Sequence, residues 1–555
     1  MCGITGIWSK TLSQPEREYY VDRVLDKQHH RGPDNRSKLS LNTLTLGHNR
    51  LSIIDLTERA NQPLVSNCGR YYIVFNGEIY NYQELKSDLN YEFRTTSDTE
   101  VLLASYLQYG TDCLEKLNGM FSFAIYDREL DILFMARDRI GEKPLLYSEH
   151  ETGFYFASEL TALYSTGVFS DEQDIIGLTY RQLRNFRHVP EPYTQYKQIR
   201  RLEPAHAIIV KNGRIEKKWC YWSPNFDYDA SITTQDVYHI IDDSIRIRER
   251  ADVEIATLLS GGVDSSIVTG LMVKHGLRPN AYCLKADDEE LGRAKQVAQL
   301  FDVPLNVFEY DEALQAKLYK KLVEIYGEDI YLLPLTHAAR LYQQIAQNGI
   351  KVVMTGIGAD EIFYGYDGAN RQLLFSDIVK MLEIIPKPLL SLFTKVFSSS
   401  SELKQLFELA SIHNLHRKGH LYRQEAIEKK FSGHDYNTLI DFWADKVRTN
   451  SYIDISNWIG LMTENAHSIT ISSDLPSMMF GIETRAPFLD HRVIEMAFNI
   501  DAHRKISKLN KHPNNKLILK QAFEDLVPNS ILYAKKKGFG YSLKSPFFDA
   551  HSRKK

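Results

Sequence analysis

Cysteine is scarce in this chain. There are five, Cys2, Cys68, Cys113, Cys220 and Cys283, among 555 residues. They are odd in number, scattered and without metal-ligand spacing, which argues against a disulfide framework and a zinc centre. An excess of charge is lacking too: the formal net charge is -4, so electrostatics give no reason to expect a nucleic acid or a membrane surface as partner. No apolar run reaches the length of a membrane span. The first residues lack the basic and apolar regions of a signal peptide, since Trp8 is soon followed by Ser9 and Lys10. The expected setting is cytoplasmic and reducing, with free thiols. Apart from the serine run at 398 to 401, read as a loop, there is no low-complexity segment and no convincing repeat. The composition, 43% hydrophobic and 25% charged, is that of a soluble globular protein, and the length suggests two or three domains.

The two halves differ in pattern. In the first, "CGITGIW", "TLTLGHNRLSIID", "GRYYIVFNGEIYN", "FSFAIYD", "DILFMARD" and "GFYFAS" are short apolar runs bounded by turns, which predict strands. "SDTEVLLASYLQYG" has helical spacing after a Ser-Asp cap signal. The expected class is α+β with mainly antiparallel sheet. Prolines and weak periodicity between residues 186 and 230 predict a linker. Beyond it strands and helices alternate: "VEIATLL", "SSIVTGLMVKHG", "NAYCLKA", "GRAKQVAQLF", "VPLNVFEY", "KVVMTG". That alternation predicts an α/β doubly wound parallel sheet. From about residue 375 the pattern is mainly helical.

Chemistry concentrates at three places. The chain opens Met-Cys-Gly, and a small second residue lets the methionine be clipped. The clipped chain would carry a thiol and an α-amine on one residue, a nucleophile with a base built in. In "LLSGGVDSS", Leu258 to Ser266, a strand runs through Ser260-Gly261-Gly262 into a helix starting near Asp264. Glycines let several N–H groups face one point, the helix N-terminus adds partial positive charge, and Ser260 and Ser265 add hydroxyls. Such a cradle suits a pyrophosphate, and Asp264 would tolerate it with Mg²⁺ between them. "MTGIGADEIFYGY" follows another strand at its carboxyl end, and Asp360 and Glu361 could reach the same metal. Taken alone, either loop is also a common strand-turn-helix junction.

With these loops, "ETRAPFLDHRVIEMAF" and "KLILKQAFEDLVPNSILYAKKKGF", the chain resembles the glutamine-hydrolysing asparagine synthetase family over nearly its whole length. The resemblance implies a class II glutaminase domain of the N-terminal-nucleophile sandwich type over 1–205 and a linker over 206–230. An ATP-pyrophosphatase domain with added helices follows over 231–555. It implies that Cys2 attacks the glutamine side-chain amide, with its α-amine as base. His29, His30 and His48 are expected to be structural or on the surface. "HRGPD" at 30 to 34 and "RLSIIDL" at 50 to 56 are family-like. Arg50 would clamp the glutamine α-carboxylate, with Leu51 and Ile53 beside it. Asn76 and Gly77 would form the oxyanion hole, although in isolation Asn-Gly reads as a hairpin turn. Glu78 and Asp98 would hold the α-ammonium. For ATP the resemblance implies Leu259, Ser260, Gly261, Gly262, Asp264, Ser265, Leu284, Thr355 and Gly356, with Mg²⁺ on Asp264 and Asp360. Lys536 would neutralise charge during adenylation. Expected partners are glutamine, ATP and a carboxylate acceptor, without nucleic acid or membrane, and a homodimer is compatible with the resemblance.

The second loop departs from the family. Where family members have Ser-Gly-Glu-Gly-x-Asp-Glu, this chain has Thr355-Gly356-Ile357-Gly358-Ala359-Asp360-Glu361, and Ala534 stands where many have arginine. A carboxylate at position 357 could position ammonia or accept a proton, and isoleucine does neither. Three readings stay open. The chain is an asparagine synthetase, or it amidates another carboxylate such as a uronic acid or a natural-product acid, or it is a glutamine-sensing pseudo-synthetase. Asp264, Asp360 and Lys536 argue against the third.

Overall fold

The computed structural model describes residues 1–184, 188–285, 288–309, 311–328, 334–366, 368–382, 442–443, 446, 451–507 and 515–535. The serine run at 398 to 401, most of the helical stretch after residue 382, and Lys536 lie outside the described residues.

The first half is two six-stranded sheets. One runs Arg200–Arg201, Leu146–His150, Gly153–Ala157, Gly3–Trp8, Leu44–Arg50, Asn35–Ser40. The other runs Arg214–Cys220, His206–Lys211, Ile132–Arg137, Gly119–Asp127, Tyr71–Ile79, Leu64–Val65. All neighbours are antiparallel. Alternation of side chains decides the layering. Ile4, Trp8, Leu46, Tyr72, Val74 and Phe156 meet between the sheets. Their strand neighbours face outwards: Ile7 onto helix Gln14–Lys27, and Ile73, Phe75 and Phe123 onto helix Asp98–Tyr109. The result is helix, sheet, sheet, helix. The Ser97 hydroxyl caps the second helix by accepting from Glu100 N–H.

The second half holds a parallel sheet in the order Leu305–Phe308, Ala281–Leu284, Ile255–Leu258, Val352–Met354, Glu483–Arg485. The strand order reverses between Ile255–Leu258 and Val352–Met354, and ligands bind at such a switch point. Both glycine-bearing loops leave the carboxyl ends of these two adjacent strands.

Two expectations change. The 206–230 stretch is not all linker, because His206–Lys211 and Arg214–Cys220 form an edge hairpin of the second sheet. "HAIIVK" pairs with Ile132–Arg137 and buries apolar residues on both faces, and proline content upstream masked that signal. Asn76-Gly77 is not a hairpin turn either. It lies inside the strand Tyr71–Ile79, paired with Ser122 and Phe121. A Cβ on Gly77 would sit 2.7 Å from the Phe121 Cα, so close strand approach explains the glycine. Among the described residues, no helix is long and apolar enough to cross a membrane.

Candidate active sites

The first site forms where the strand Gly3–Trp8 begins. Cys2 is 7% exposed, and its backbone N–H donates to Asn76 Oδ1 at 2.9 Å. This bond orients the Asn76 amide, whose Nδ2 faces Ser122 Oγ at 3.4 Å. Burial pushes the Cys2 thiol up, opposed by the nearby terminal ammonium, the Leu51 N–H and Arg50. Arg50 closes its own loop: the guanidinium donates to the carbonyls of Ile54, Asp55 and Thr57 and to Asn61 Oδ1. Leu51 and Ile53 are buried with Ile54 and Val352, which seats this loop on the parallel sheet of the other half. His48 is buried and held neutral, its pKa lowered to about 3 by desolvation, with Nε2 at 3.2 Å from the Phe75 carbonyl oxygen. His30 bonds Glu159 at 2.9 Å.

Two buried acids, Glu78 and Asp98, lie close to one another in the same half. Asp98 Oδ2 accepts from Ile79 N–H at 2.9 Å, and desolvation first of all raises its pKa to about 6. Glu78 is pushed well above the usual carboxylate range by burial and by Asp98, while Arg485 opposes the shift. Glu78 Oε2 takes Arg485 Nη2 at 3.2 Å, and buried Oε1 has no hydrogen-bond partner. Leaving such an oxygen unsatisfied is costly, which marks it as a place for a cationic or donating ligand.

Met1 completes this corner. It is 1% exposed, and its ammonium lies 3.2 Å from Glu483 Oε2. Its side chain packs with Tyr80, Met120, Ile247 and Met478, two residues from each half. Arg31 also joins the halves, through a bidentate pair with Asp474 at 2.8 and 3.1 Å.

The second site is built by the two loops at the switch point. Gly261 has φ +75°, and a Cβ there would sit 2.5 Å from Ala294 N, so glycine meets both a left-handed backbone and a close helix. Ser260 and Ser265 hydroxyls are 3.1 Å apart, and Gly262 caps the helix Val263–Lys274. Leu259 is buried beneath the loop and Leu284 is half-buried at the end of the next strand. Thr355 and Gly356 come in from the other side, and a Cβ on Gly356 would sit 2.7 Å from Asp264 Cβ. The loops therefore touch.

Asp264 and Asp360 converge, as expected, but on a residue that sequence reading assigned no role. Lys516 Nζ lies 2.6 Å from Asp264 Oδ2 and 2.6 Å from Asp360 Oδ1. It sits inside the quoted signature "KLILKQAF", at a helix start where the structure gives it a left-handed φ of +58°. Glu361 instead accepts from Tyr366 OH at 2.6 Å. Among the described residues no group of three His, Cys, Asp or Glu is placed to hold a metal. Ile357 is half-buried and packs against the main apolar core of this half. Sequence reading also missed Glu483 and Arg485, in a strand too short to show a period.

Comparison with known proteins agrees with this two-site arrangement. A family model of a glutamine amidotransferase domain matches residues 1–222, and one of asparagine synthase matches residues 236–554. The chain is 30% identical to asparagine synthetase [glutamine-hydrolyzing] 1 of Bacillus subtilis, over 97% of this chain and 87% of that one. It is 31% identical to a putative asparagine synthetase [glutamine-hydrolyzing] of Mycobacterium tuberculosis, over 94% and 83%. It is 28% identical to amidase chyE of Penicillium rubens, over 97% and 88%.

Proposed function

Since the chain belongs to the asparagine synthase family, and is a glutamine-dependent, ATP-driven amidating ligase, we propose that its acceptor is a carboxylic acid bulkier than aspartate. We propose too how its residues share the chemistry. The domain boundary falls between the edge hairpin ending at Cys220 and the helix Thr234–Arg248. The five free cysteines support a cytoplasmic setting.

Cys2 is the nucleophile. With Met1 removed, its α-amine takes the thiol proton, and the thiolate forms a thioester with the glutamine side chain and releases ammonia. Asn76 and Gly77 stabilise the oxyanion. The Arg50 loop holds the α-carboxylate, and Glu78 and Asp98 hold the α-ammonium. Loss of Met1 also vacates a buried apolar box between the halves, which gives neutral ammonia a dry place to enter. The sign of the Asp98 shift yields a pH expectation. Below about 6 its carboxyl is neutral and cannot pair with an ammonium, so kcat/KM for glutamine should fall with pH below that value. A pH profile of glutamate release checks this, and in Asp98→Asn the limb should move to lower pH, because the Asp98 charge that helps raise Glu78 is gone.

In the second site the acceptor carboxylate attacks the α-phosphorus of ATP, pyrophosphate leaves, and ammonia then displaces AMP. Mg²⁺ fits: Asp264 and Asp360 are two hard oxygen donors already converging on one cation, and Mg²⁺ needs one or two carboxylates beside substrate phosphates. It would supply charge neutralisation there. Lys516 and the loop N–H groups orient the triphosphate; Lys536 is assigned by its sequence match.

One observation carries the acceptor reading: Ile357, half-buried against the apolar core of this half, stands where the family carries a glutamate. Relatives of nearly equal identity are named asparagine synthetase and amidase, so likeness alone does not select aspartate. Losing a placed acid or base costs on the order of a hundredfold in rate. ATP–pyrophosphate exchange over a panel of acids should therefore favour a uronic or other bulky acid, with aspartate poor. Ile357→Glu should raise aspartate activity. Asparagine formed one-to-one with AMP at several per second would refute this reading.

A further inference from the structure

Arg485 touches both sites at once. Its Nη2 holds Glu78 at 3.2 Å and its Nε holds Glu483 at 2.8 Å. Its Nη1 donates to the carbonyls of Arg248 and Arg250, each at 2.7 Å, so the guanidinium is fixed in a buried cage. The main chain of the same residue grips the second ATP loop. Its carbonyl accepts from Thr355 N–H at 2.9 Å and from Thr355 Oγ1 at 3.3 Å. Thr355 leads into Gly356, which is pressed against Asp264. The chain of contacts from Glu78 to Asp264 is short, passing through Arg485, Thr355 and Gly356.

We propose that Arg485 is a positioning residue through which glutamine occupancy of the first site sets the geometry of the ATP loop. The proposal rests on the reading that Glu78 holds the glutamine ammonium. Glu78 has one oxygen on Arg485 and one buried oxygen free. A cation arriving at the free oxygen changes the charge that Glu78 presents to Arg485. The guanidinium then redistributes between Glu78, Glu483 and the two carbonyls, and its main chain moves with Thr355 around the nucleotide. Coupling of this kind is reciprocal, so nucleotide must tighten glutamine by the factor that glutamine tightens nucleotide.

The test is calorimetry on the full chain carrying Cys2→Ala, which cannot consume glutamine. Glutamine is titrated with and without α,β-methylene-ATP and Mg²⁺. The nucleotide should lower the glutamine Kd about fivefold or more. Adding Arg485→Lys, which keeps the charge but loses the fork, should bring the factor to within about twofold of one, with nucleotide still bound. Glu483→Gln, which touches neither ligand, should reduce it similarly and decides the matter if Arg485→Lys does not fold. A factor of one in the Cys2→Ala protein overturns the proposal, as does an undiminished factor in the folded variants. Glutamine affinity unchanged by Glu78→Gln overturns the Glu78 reading and the proposal together. Glutamine held by Glu78 but indifferent to nucleotide overturns the coupling alone.

Discussion

Cys2→Ala should release glutamate from glutamine at no more than about 10⁻⁴ of the normal rate, while ammonium still supports ATP-dependent amidation. The thiol sits at the start of a central strand, with its N–H on Asn76 and its side chain nearly buried. The other cysteines belong to other places. Cys113 begins a short helix in the first half, Cys220 ends the edge hairpin, and Cys283 is in the parallel sheet. Cys68 is exposed in a loop. Removing Sγ deletes one buried atom, worth about 1 kcal/mol, so the fold should persist. Met1 supplies an independent arm of the same expectation. While it is retained, the Cys2 nitrogen is an amide that donates to Asn76 and cannot serve as base. Specific glutaminase activity should therefore scale with the fraction of chains whose intact mass lacks methionine. Normal glutamate release by Cys2→Ala would remove Cys2 from the mechanism, and normal release by chains that all keep Met1 would remove its α-amine as the base.

The sequence made the loops legible because their chemistry is local. Ser260-Gly261-Gly262-x-Asp264 is one turn and one helix start, and residues adjacent in sequence do the work. The layers were legible for a similar reason: the apolar runs "YYIVFNGEI" and "FSFAIYD", bounded by turns, mark strands buried on both faces. Distant pairing was not legible. Arg31 looks like part of a family motif, yet its partner, Asp474, lies 443 residues away. The edge hairpin at 206 to 220 was lost among prolines, and the strand Glu483–Arg485 has three residues, too few for any period to appear. Lys516 could not be found from charge pattern, because a lysine in an amphipathic signature usually faces water. Its placement between two acids is decided by helices packed long after the loops in the chain. At Asn76-Gly77 the turn propensity of the dipeptide gives way to the strand predicted from the run "GRYYIVFNGEIYN", in which it pairs.

Asp264→Asn should lower ATP–pyrophosphate exchange on the order of a hundredfold or more while glutaminase activity persists. The substitution keeps shape and volume and removes one charge from a triad. Lys516 would still have Asp360 at 2.6 Å, so its buried ammonium is not left unpaired. That matters because an orphaned buried charge costs several kcal/mol, whereas a shared one costs far less. The variant should therefore fold. What it loses is one of the two hard oxygens that converge on the cation position. The remaining carboxylate would meet the triphosphate with a weaker counter-charge, and exchange should need more Mg²⁺. Lys516→Met separates the two roles of the triad. It leaves both carboxylates and removes the ammonium that competes for them, so the Mg²⁺ midpoint should not rise while the KM for ATP does. It also frees two partly buried acids to repel one another, so its stability should drop more than that of Asp264→Asn. Thermal unfolding and a Mg²⁺ titration of exchange, on both variants, give the comparison. Unchanged exchange and unchanged Mg²⁺ midpoint in Asp264→Asn would mean that the phosphates bind elsewhere than between these two loops.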